Sequence, residues 1–314
     1  MDDLDIKQAG RQWNLRLSRV LLQKTGMEQS KTDPCVYRKV VDGEVTLIVC
    51  VYVDNLVVTA KNKETFDAFY AQLKGGFPVN DMGNLSWYLG CAFKRDKVEG
   101  VVRMTQTAFV DSLVDRFDIH YEIQSPASAR HWKAVRKIIA YLKRTKDLGI
   151  VFRRGGNLKL SLFADADYAD RCNDRRSVSG VAVMLESTAV SASNTTQHCV
   201  TLSTSEVEYV AMAHGAKTAL AIKAVLDFVQ PHLSGSTIDM YEDNEGAKAL
   251  AEKPQGSHRS KHIDVRFHFL RGLVKLGQLT VHSVASAEQH ADILTKPLGR
   301  EAFRRHRDFL MNTS

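Results

Sequence analysis

Four carboxylates in the later part of the chain have neighbours that make them difficult to read as ordinary surface charge. Asp165 lies in Phe163-Ala-Asp-Ala-Asp-Tyr168, at the end of a stretch, Leu158 to Asp165, whose alternation has the period of a half-buried strand. Asp243 lies in Met240-Tyr-Glu-Asp-Asn244, at the end of a second strand pattern, Thr237 to Glu242. In open α/β sheets, sites form beyond the carboxyl ends of strands, so acids ending two neighbouring strands can converge. Glu208 belongs to a long helical pattern, Ser205 to Val229. It shares a wheel face with Ala211, Met212, Gly215, Ala219, Ile222 and Leu226, while Lys217 lies opposite. A carboxylate on that stripe faces the sheet, where an unpaired charge is costly. A bound cation removes the cost. Asp292, in Gln289-His-Ala-Asp-Ile-Leu-Thr295, opens a further helical pattern, Ala287 to Thr295.

Taken as a set, these carboxylates suit two-metal hydrolysis of a phosphodiester, in which paired ions clamp the attacking and leaving oxygens. All-carboxylate ligation suits Mg²⁺, with Mn²⁺ as the alternative ion. Each acid also has a plainer reading. Asp243 suits the cap of the helix that follows, Asp292 complements a helix dipole, and Asp165 suits a turn beside Asp167. Glu208 resists such a reading, because neither capping nor solvation fits its face.

The elements that must position these residues follow from periodicity. In the first half, Val36 to Val41 and Val45 to Val53 are β-branched runs joined around Asp42-Gly43, a strong hairpin signal. Asp54-Asn55 then marks a second tight turn before Leu56 to Thr59. Glu64 to Leu73 and the segment around Phe109, Leu113, Val114 and Phe117 carry helical spacing, and Trp87 to Lys94 and Val101 to Met104 read as strands. A small, polar, Pro-containing stretch at 120–130 reads as a boundary. His131 to Lys143 follows as a basic helix, with Val135, Ile138, Ile139 and Leu142 expected inside. The second half alternates more regularly: strands at Ser179 to Leu185, Ala189 to Ala192 and Gln278 to Val284, and helices at Asn244 to Glu252 and His262 to Lys275. Such alternation points to a mixed sheet with helices on its faces.

Composition narrows the partners. The 314 residues are 44% hydrophobic and 25% charged, which is globular rather than disordered. Forty-three Lys and Arg against 36 Asp and Glu leave a net charge of +7, compatible with a polyanionic partner. No apolar run approaches the roughly 18 residues of a membrane helix, so no membrane partner is expected. The acidic start, Met1-Asp2-Asp3-Leu4-Asp5, matches neither a signal nor a transit peptide, and the expectation is an intracellular rather than secreted protein. Five scattered cysteines support neither a disulfide framework nor a Cys-x-x-Cys metal site.

Six ordered blocks then resemble one family: Ala164-Asp-Ala-Asp-Tyr-Ala169, Asp174-Arg-Arg-Ser-Val-Ser-Gly180, Leu202-Ser-Thr-Ser-Glu-Val-Glu-Tyr209, Tyr241-Glu-Asp-Asn244, Ser260-Lys-His-Ile-Asp264 and Ala291-Asp-Ile-Leu-Thr-Lys-Pro297. They resemble the ribonuclease H region of copia-type retrotransposon polyproteins. The first half resembles the reverse transcriptase of the same polyproteins, through Lys7-Gln-Ala-Gly-Arg-Gln-Trp13, Asp33-Pro34, Val51-Tyr-Val-Asp54 and Leu85-Ser-Trp-Tyr-Leu-Gly90. The fold class this implies is α/β (α+β). It comprises a truncated, palm-like reverse-transcriptase region at 1–119, a linker at 120–130, and a ribonuclease H-like five-stranded mixed sheet with flanking helices at 131–314, preceded by a connection helix. The resemblance assigns Asp165, Glu208, Asp243 and Asp292 as catalytic metal ligands for cleaving the RNA strand of an RNA–DNA hybrid. It sets the chain in the cytoplasm or a virus-like particle.

The polymerase half departs from the family. The residue after Asp54 is Asn55 instead of a second aspartate, which removes a charge that helps hold a cation. The family's first catalytic aspartate lies upstream of Lys7, and the stretch between Phe117 and His131 is short. Polymerase activity is therefore not expected. In the second half, Ala192 replaces a Trp, and Thr195 and Thr196 replace lysines, which weakens backbone contacts to a hybrid. His290, commonly an apolar position, reads as a surface histidine or a proton shuttle. His258-Arg-Ser-Lys-His262 and Arg266 to Arg271 concentrate positive charge, so Arg259, Lys261, His262 and Arg266 are candidate phosphate contacts. The helix at His131 to Arg144, with Lys146 and Trp132, is a second candidate surface. The basic tail around Arg300 to Arg307 reads as a solvated helix. The alternative to a nuclease is a catalytically silent remnant that at most binds nucleic acid.

Overall fold

The computed structural model describes residues 3–117, 126–168, 176–197, 203–252 and 261–313, with the backbone alone at 3–8, 126–130 and 261–267. These form two compact units, Met1–Asn84 with Leu220–Gly235, and Leu85–Ala219 with Ser236–Ser314.

In the first unit, Asp3–Arg19, which carries no stripe singled out above, forms α1 and runs into a π-helical turn at Val20–Lys24. An antiparallel sheet follows in chain order: β1 (Glu28–Gln29), β2 (Val36–Val41), β3 (Glu44–Tyr52) and β4 (Asn55–Ala60). Asp42 and Gly43 take φ of 51° and 80°, as a two-residue hairpin turn requires. The second turn falls one residue earlier than its sequence suggests. Tyr52 pairs with Asn55, so Val53 and Asp54 form the loop, and Val53 is held at φ 55°. That conformation is costly for a β-branched residue. Its carbonyl accepts the Trp13 indole N–H at 2.7 Å. Helix α2 (Lys63–Lys74) is capped by Asn62, whose side chain accepts from the Thr65 amide. It buries Phe69 and Leu73 against Leu21, Tyr37, Leu47 and Val49. Residues of the 220–235 segment join this unit through Phe228: its carbonyl accepts from Arg38, whose guanidinium lies 4.4 Å from the ring centre.

The second unit opens with β5 (Trp87–Tyr88), β6 (Cys91–Asp96) and β7 (Val101–Thr105). The single strand expected over Trp87 to Lys94 is broken by a turn, with Leu89 and Gly90 at φ of 52° and 77°. Helices α3 (Thr107–Phe117) and α4 (Pro126–Arg144) precede β8 (Ile150–Arg153), which pairs with β7. Main-chain bonds therefore tie residues before the expected linker to residues after it, while most of the linker lies outside the described residues. Helix α4 buries a different face from the one expected. Trp132 meets Phe117 and Tyr141 meets Phe303, which leaves Val135 and Ile138 exposed.

The five-stranded sheet comprises β9 (Leu160–Asp167), β10 (Val178–Leu185), β11 (Thr188–Thr196), β12 (Ile238–Glu242) and β13 (Leu279–Ser283), in the order β11-β10-β9-β12-β13. The first three are antiparallel and β9, β12 and β13 are parallel. This is the mixed sheet the alternation implies. Helix α5 (Thr204–Val229) crosses it at Gly215, where an added Cβ would lie 2.8 Å from Leu162 Cδ1. Helices α6 (Glu245–Glu252), α7 (Lys261–Lys275) and α8 (Arg300–Met311) complete the unit. Helix α8 is not wholly solvated, since His306 and Leu310 are buried. Among the described residues, no helix is long and apolar enough to cross a membrane.

The helix expected over Ala287 to Thr295 is instead two 3₁₀ turns, Ser286–Glu288 and His290–Leu294. Gln289 between them turns its side chain into the core, which breaks the helical path. The second turn lies against β10 at Gly180, the residue paired with Asp165. A Cβ there would meet Thr295 Cγ2 at 2.6 Å and the Ala291 carbonyl at 3.1 Å. Gly180→Ala is expected to cost about 1–3 kcal/mol, the usual range for overpacking. Urea denaturation of wild type and variant measures it, and equal stabilities would show that this close approach is not needed.

Candidate metal centre

Asp165, Glu208 and Asp243 come from three elements and meet. One carboxylate oxygen from each lies within 4.8 Å of the other two. The sheet register explains two of them. Phe163 on β9 pairs with Tyr241 on the adjacent parallel β12, and each acid lies two residues further on. Asp165 falls within β9 rather than at its end, because the strand continues to Asp167. Asp243 directly follows β12. Glu208 comes from the start of α5, where residues 206–213 are buried all round the helix and not only on the face that the wheel assigns it.

The electrostatics are severe. Asp165 is 0% exposed and Glu208 8%. Beside them stands a carboxyl that sequence reasoning passed over: Glu242, 1% exposed. Its Oε1 accepts the Asn244 amide at 3.0 Å. Neither its Oε2 nor that of Glu208 has a hydrogen-bond partner among the described residues. Burial, then the charges of Glu242, Asp165 and Asp243, push the Glu208 carboxyl up to about 10. Burial likewise holds Glu242 well above the ordinary carboxylate range, against the Asn244 hydrogen bond. Orphaned carboxylate oxygens and an all-oxygen donor set fit a hard divalent cation.

Asp292 joins from outside this trio. It sits in the second 3₁₀ turn and connects through Lys296, whose ammonium donates to Asp165 Oδ1 at 2.9 Å and Asp292 Oδ1 at 2.8 Å. The Thr295 hydroxyl donates to the other Asp165 oxygen. Burial lowers the Lys296 affinity for its proton, but the hydrogen bonds to Asp292 and Asp165 outweigh it, and the net shift is upward. Gln289, fully buried, fixes the whole segment. Its amide donates to the Ala164 carbonyl at 2.9 Å and the Tyr241 carbonyl at 3.4 Å, next to the strands that carry the acids.

His290 is neither surface residue nor shuttle. It is 4% exposed, stacks on Phe309, and its Nδ1 lies 3.0 Å from Nδ1 of the buried His306. Burial first, then His306, lowers its pKa to about 4, which keeps the ring neutral as a hydrogen-bonded spacer between the 3₁₀ turn and α8.

Residues 4–127 match the family model described as reverse transcriptase (RNA-dependent DNA polymerase). The retrovirus-related Pol polyprotein from transposon TNT 1-94 of Nicotiana tabacum is 25% identical over 95% of this chain and 27% of its own length. That from transposon RE2 of Arabidopsis thaliana is 28% identical over 95% of this chain and 24% of its own. The chain matches a segment of a copia-type retrotransposon polyprotein. It spans about a quarter of the length of these relatives. Among solved structures, the N-terminal RNase H domain of rv2228c from Mycobacterium tuberculosis is 15% identical, covers 48% of this chain and 98% of that one, and has a TM-score of 0.33.

Of the copia-type blocks, those at 164–169, 174–180, 202–209 and 260–264 each lie partly outside the described residues. Arg259 also lies outside them. Lys261, His262 and Arg266 fall on α7 where the backbone alone is described. Asp54 and Asn55 are exposed at a hairpin, and the Asn55 amide donates to Asp54 at 3.4 Å. Among the described residues Asp54 joins no metal-type acid group. Lys296 and Glu242 were visible inside the quoted blocks, and Asp292 and Lys296 stand at i,i+4, but no periodicity says that this ammonium reaches β9.

The raised carboxyls carry a consequence for stability. A buried acid whose folded pKa lies above its unfolded one contributes stability below the unfolded value and loses it as pH rises toward the folded value. For Glu208 that window runs from the ordinary 4.5 to about 10. Without divalent ions, the melting temperature of the chain is expected to fall from about pH 5 to 9, since bound protons are lost more readily on unfolding. Added Mg²⁺ should oppose the fall by binding only the folded form. Glu208→Gln should flatten the metal-free slope and lose the Mg²⁺ effect. A pH-independent wild-type melt would contradict the buried-acid assignment.

Proposed function

We propose that the second half of the chain is a metal-dependent ribonuclease H-type endonuclease that cuts the RNA strand of RNA–DNA hybrids, with Asp165, Glu208, Asp243 and Asp292 as metal ligands. One observation carries this reading: three carboxylates from three elements within 4.8 Å, two of them buried. A folded chain holds that arrangement only with protons or cations to offset the charge, and a bound divalent ion does so with the carboxylates ionised. Mg²⁺ or Mn²⁺ would supply Lewis acidity at a phosphoryl oxygen and charge stabilisation in the transition state. The protein's part is to hold the ligands. The Thr295 hydroxyl and Lys296 ammonium fix the Asp165 carboxylate, and Gln289 fixes the segment bearing Asp292 to the strands. The copia-type relatives, matched over 95% of the chain, support a nucleic-acid substrate. Arg259, Lys261, His262 and Arg266 are proposed to follow its phosphate backbone. The functional division is proposed at 120–130, with 131–314 as the nuclease.

The first half is proposed not to polymerise. Its surviving motif acid, Asp54, is solvated beside an uncharged Asn55, without the paired carboxylates that two-metal phosphoryl transfer uses.

An Mg²⁺-dependent cleavage assay on a labelled RNA–DNA hybrid tests the nuclease. Asp243→Asn should lower the rate by about 100-fold or more, because the metal supplies several kcal/mol and each ~1.4 kcal/mol is tenfold. Identical wild-type and variant traces would instead favour the silent remnant, all the more if salt-sensitive binding persists. Primer extension should be undetectable, and extension abolished by Asp54→Ala would refute the polymerase statement. Limited proteolysis should cut within 120–130, yet the two pieces should co-elute because β7 and β8 stay paired.

A further inference from the structure

The ammonium of Lys296 does more than neutralise one neighbour. It bridges Asp165 and Asp292, which come from a strand and from a separate 3₁₀ turn 127 positions further on, at 2.9 and 2.8 Å. Asp165 is thereby shared. It faces the trio with Glu208 and Asp243, and it also holds the ammonium. Asp292 stands on the ammonium side, outside the trio. The two sides therefore differ in what they lack. On the trio side the Glu208 Oε2 is buried without a donor among the described residues. On the Asp165–Asp292 side, the facing carboxylate oxygens already share a full positive charge.

We propose that Lys296 is a tethered cation that occupies the second metal position of this centre, so that the native chain takes one divalent ion at Asp165, Glu208 and Asp243 and takes a second only when the ammonium leaves. The inference rests on the metal-centre reading above and refines it. Two like charges cannot share one pair of carboxylates in a partly buried site without a large electrostatic cost. A divalent ion arriving between Asp165 and Asp292 must displace the lysine. The lysine has somewhere to go, because its side chain is 38% exposed and it lies beyond the end of the 3₁₀ turn His290–Leu294, outside any helix. A displaced Lys296 would carry its charge toward solvent, where a substrate phosphate approaches. It would act as a positioning residue that couples filling of the second metal position to the arrival of the polyanion.

The test counts ions on the full chain. Mn²⁺ alone is titrated into wild type, Lys296→Met and Lys296→Gln, and bound ions are counted by loss of the free-Mn²⁺ electron paramagnetic resonance signal. The Gln variant keeps a donor for Asp165 and Asp292 while removing the charge, and so guards against a fold collapse in the Met variant. The expected result is one ion in wild type and two in either variant, the added ion being lost again in Lys296→Gln combined with Asp292→Asn. A wild type that binds two ions, or variants that still bind one, would overturn the tethered cation while leaving the metal centre standing. A wild type that binds none, with Asp243→Asn indistinguishable from it, would remove the metal centre and the proposal together.

Discussion

Confining carboxylate charge inside a sheet is the constraint that organises the second unit. Asp165 lies fully buried on a central strand, and its charge, with that of Asp243, adds to burial in raising the proton affinity of Glu208 and Glu242. In a medium of low polarisability, several such charges side by side are untenable unless protons or cations offset them. The fold supplies both remedies. Glu208 and Glu242 are driven toward their neutral forms, while Lys296 and Thr295 give Asp165 two hydrogen-bond donors, one of them cationic. A protein that needed only stability would fill this volume with apolar side chains, which often pack as well or better. That the acids are retained is the physical case for a site.

Holding such a group together requires close approach, and the surrounding residues are chosen for it. Gly180, opposite Asp165 in the register, lacks the Cβ that would push the Ala291–Thr295 turn away from β10. Gln289 then ties that turn to β9 and β12 with one amide, satisfying carbonyls that would otherwise be buried without partners. Behind it, the neutral His290 and His306 pair fills the space to α8, with His290 stacked on Phe309 and edge-on to Phe163. These contacts hold the turn that carries Asp292 against the sheet.

The first unit shows the contrast. Its motif aspartate sits at an exposed hairpin loop, where water solvates the charge and no counterion is required. The hairpin is nevertheless held under strain, with Val53 at positive φ and its carbonyl tied to Trp13. The geometry of the turn persists without the second acid that would give it a use in metal-assisted chemistry. Among the described residues, the same chain thus carries one gathered acid cluster and one exposed motif aspartate that joins no such group.

Local periodicity in the sequence was enough to set the strands of the mixed sheet and the apolar α5 stripe on which Glu208 stands out. Each of those depends on the backbone's own repeat of two or 3.6 residues, and a sequence displays that repeat directly. What tertiary structure alone decided is every partnership across distance. The pairing of β7 with β8, the 3₁₀ path in place of a last helix, the exposure of Val135 and Ile138, the burial of His290 and the reach of Lys296 to Asp165 all depend on which surface arrives opposite. A one-dimensional pattern shows that a face is apolar or that a charge is present. It does not show what will meet it, because contact energies are settled only when distant segments share the same space.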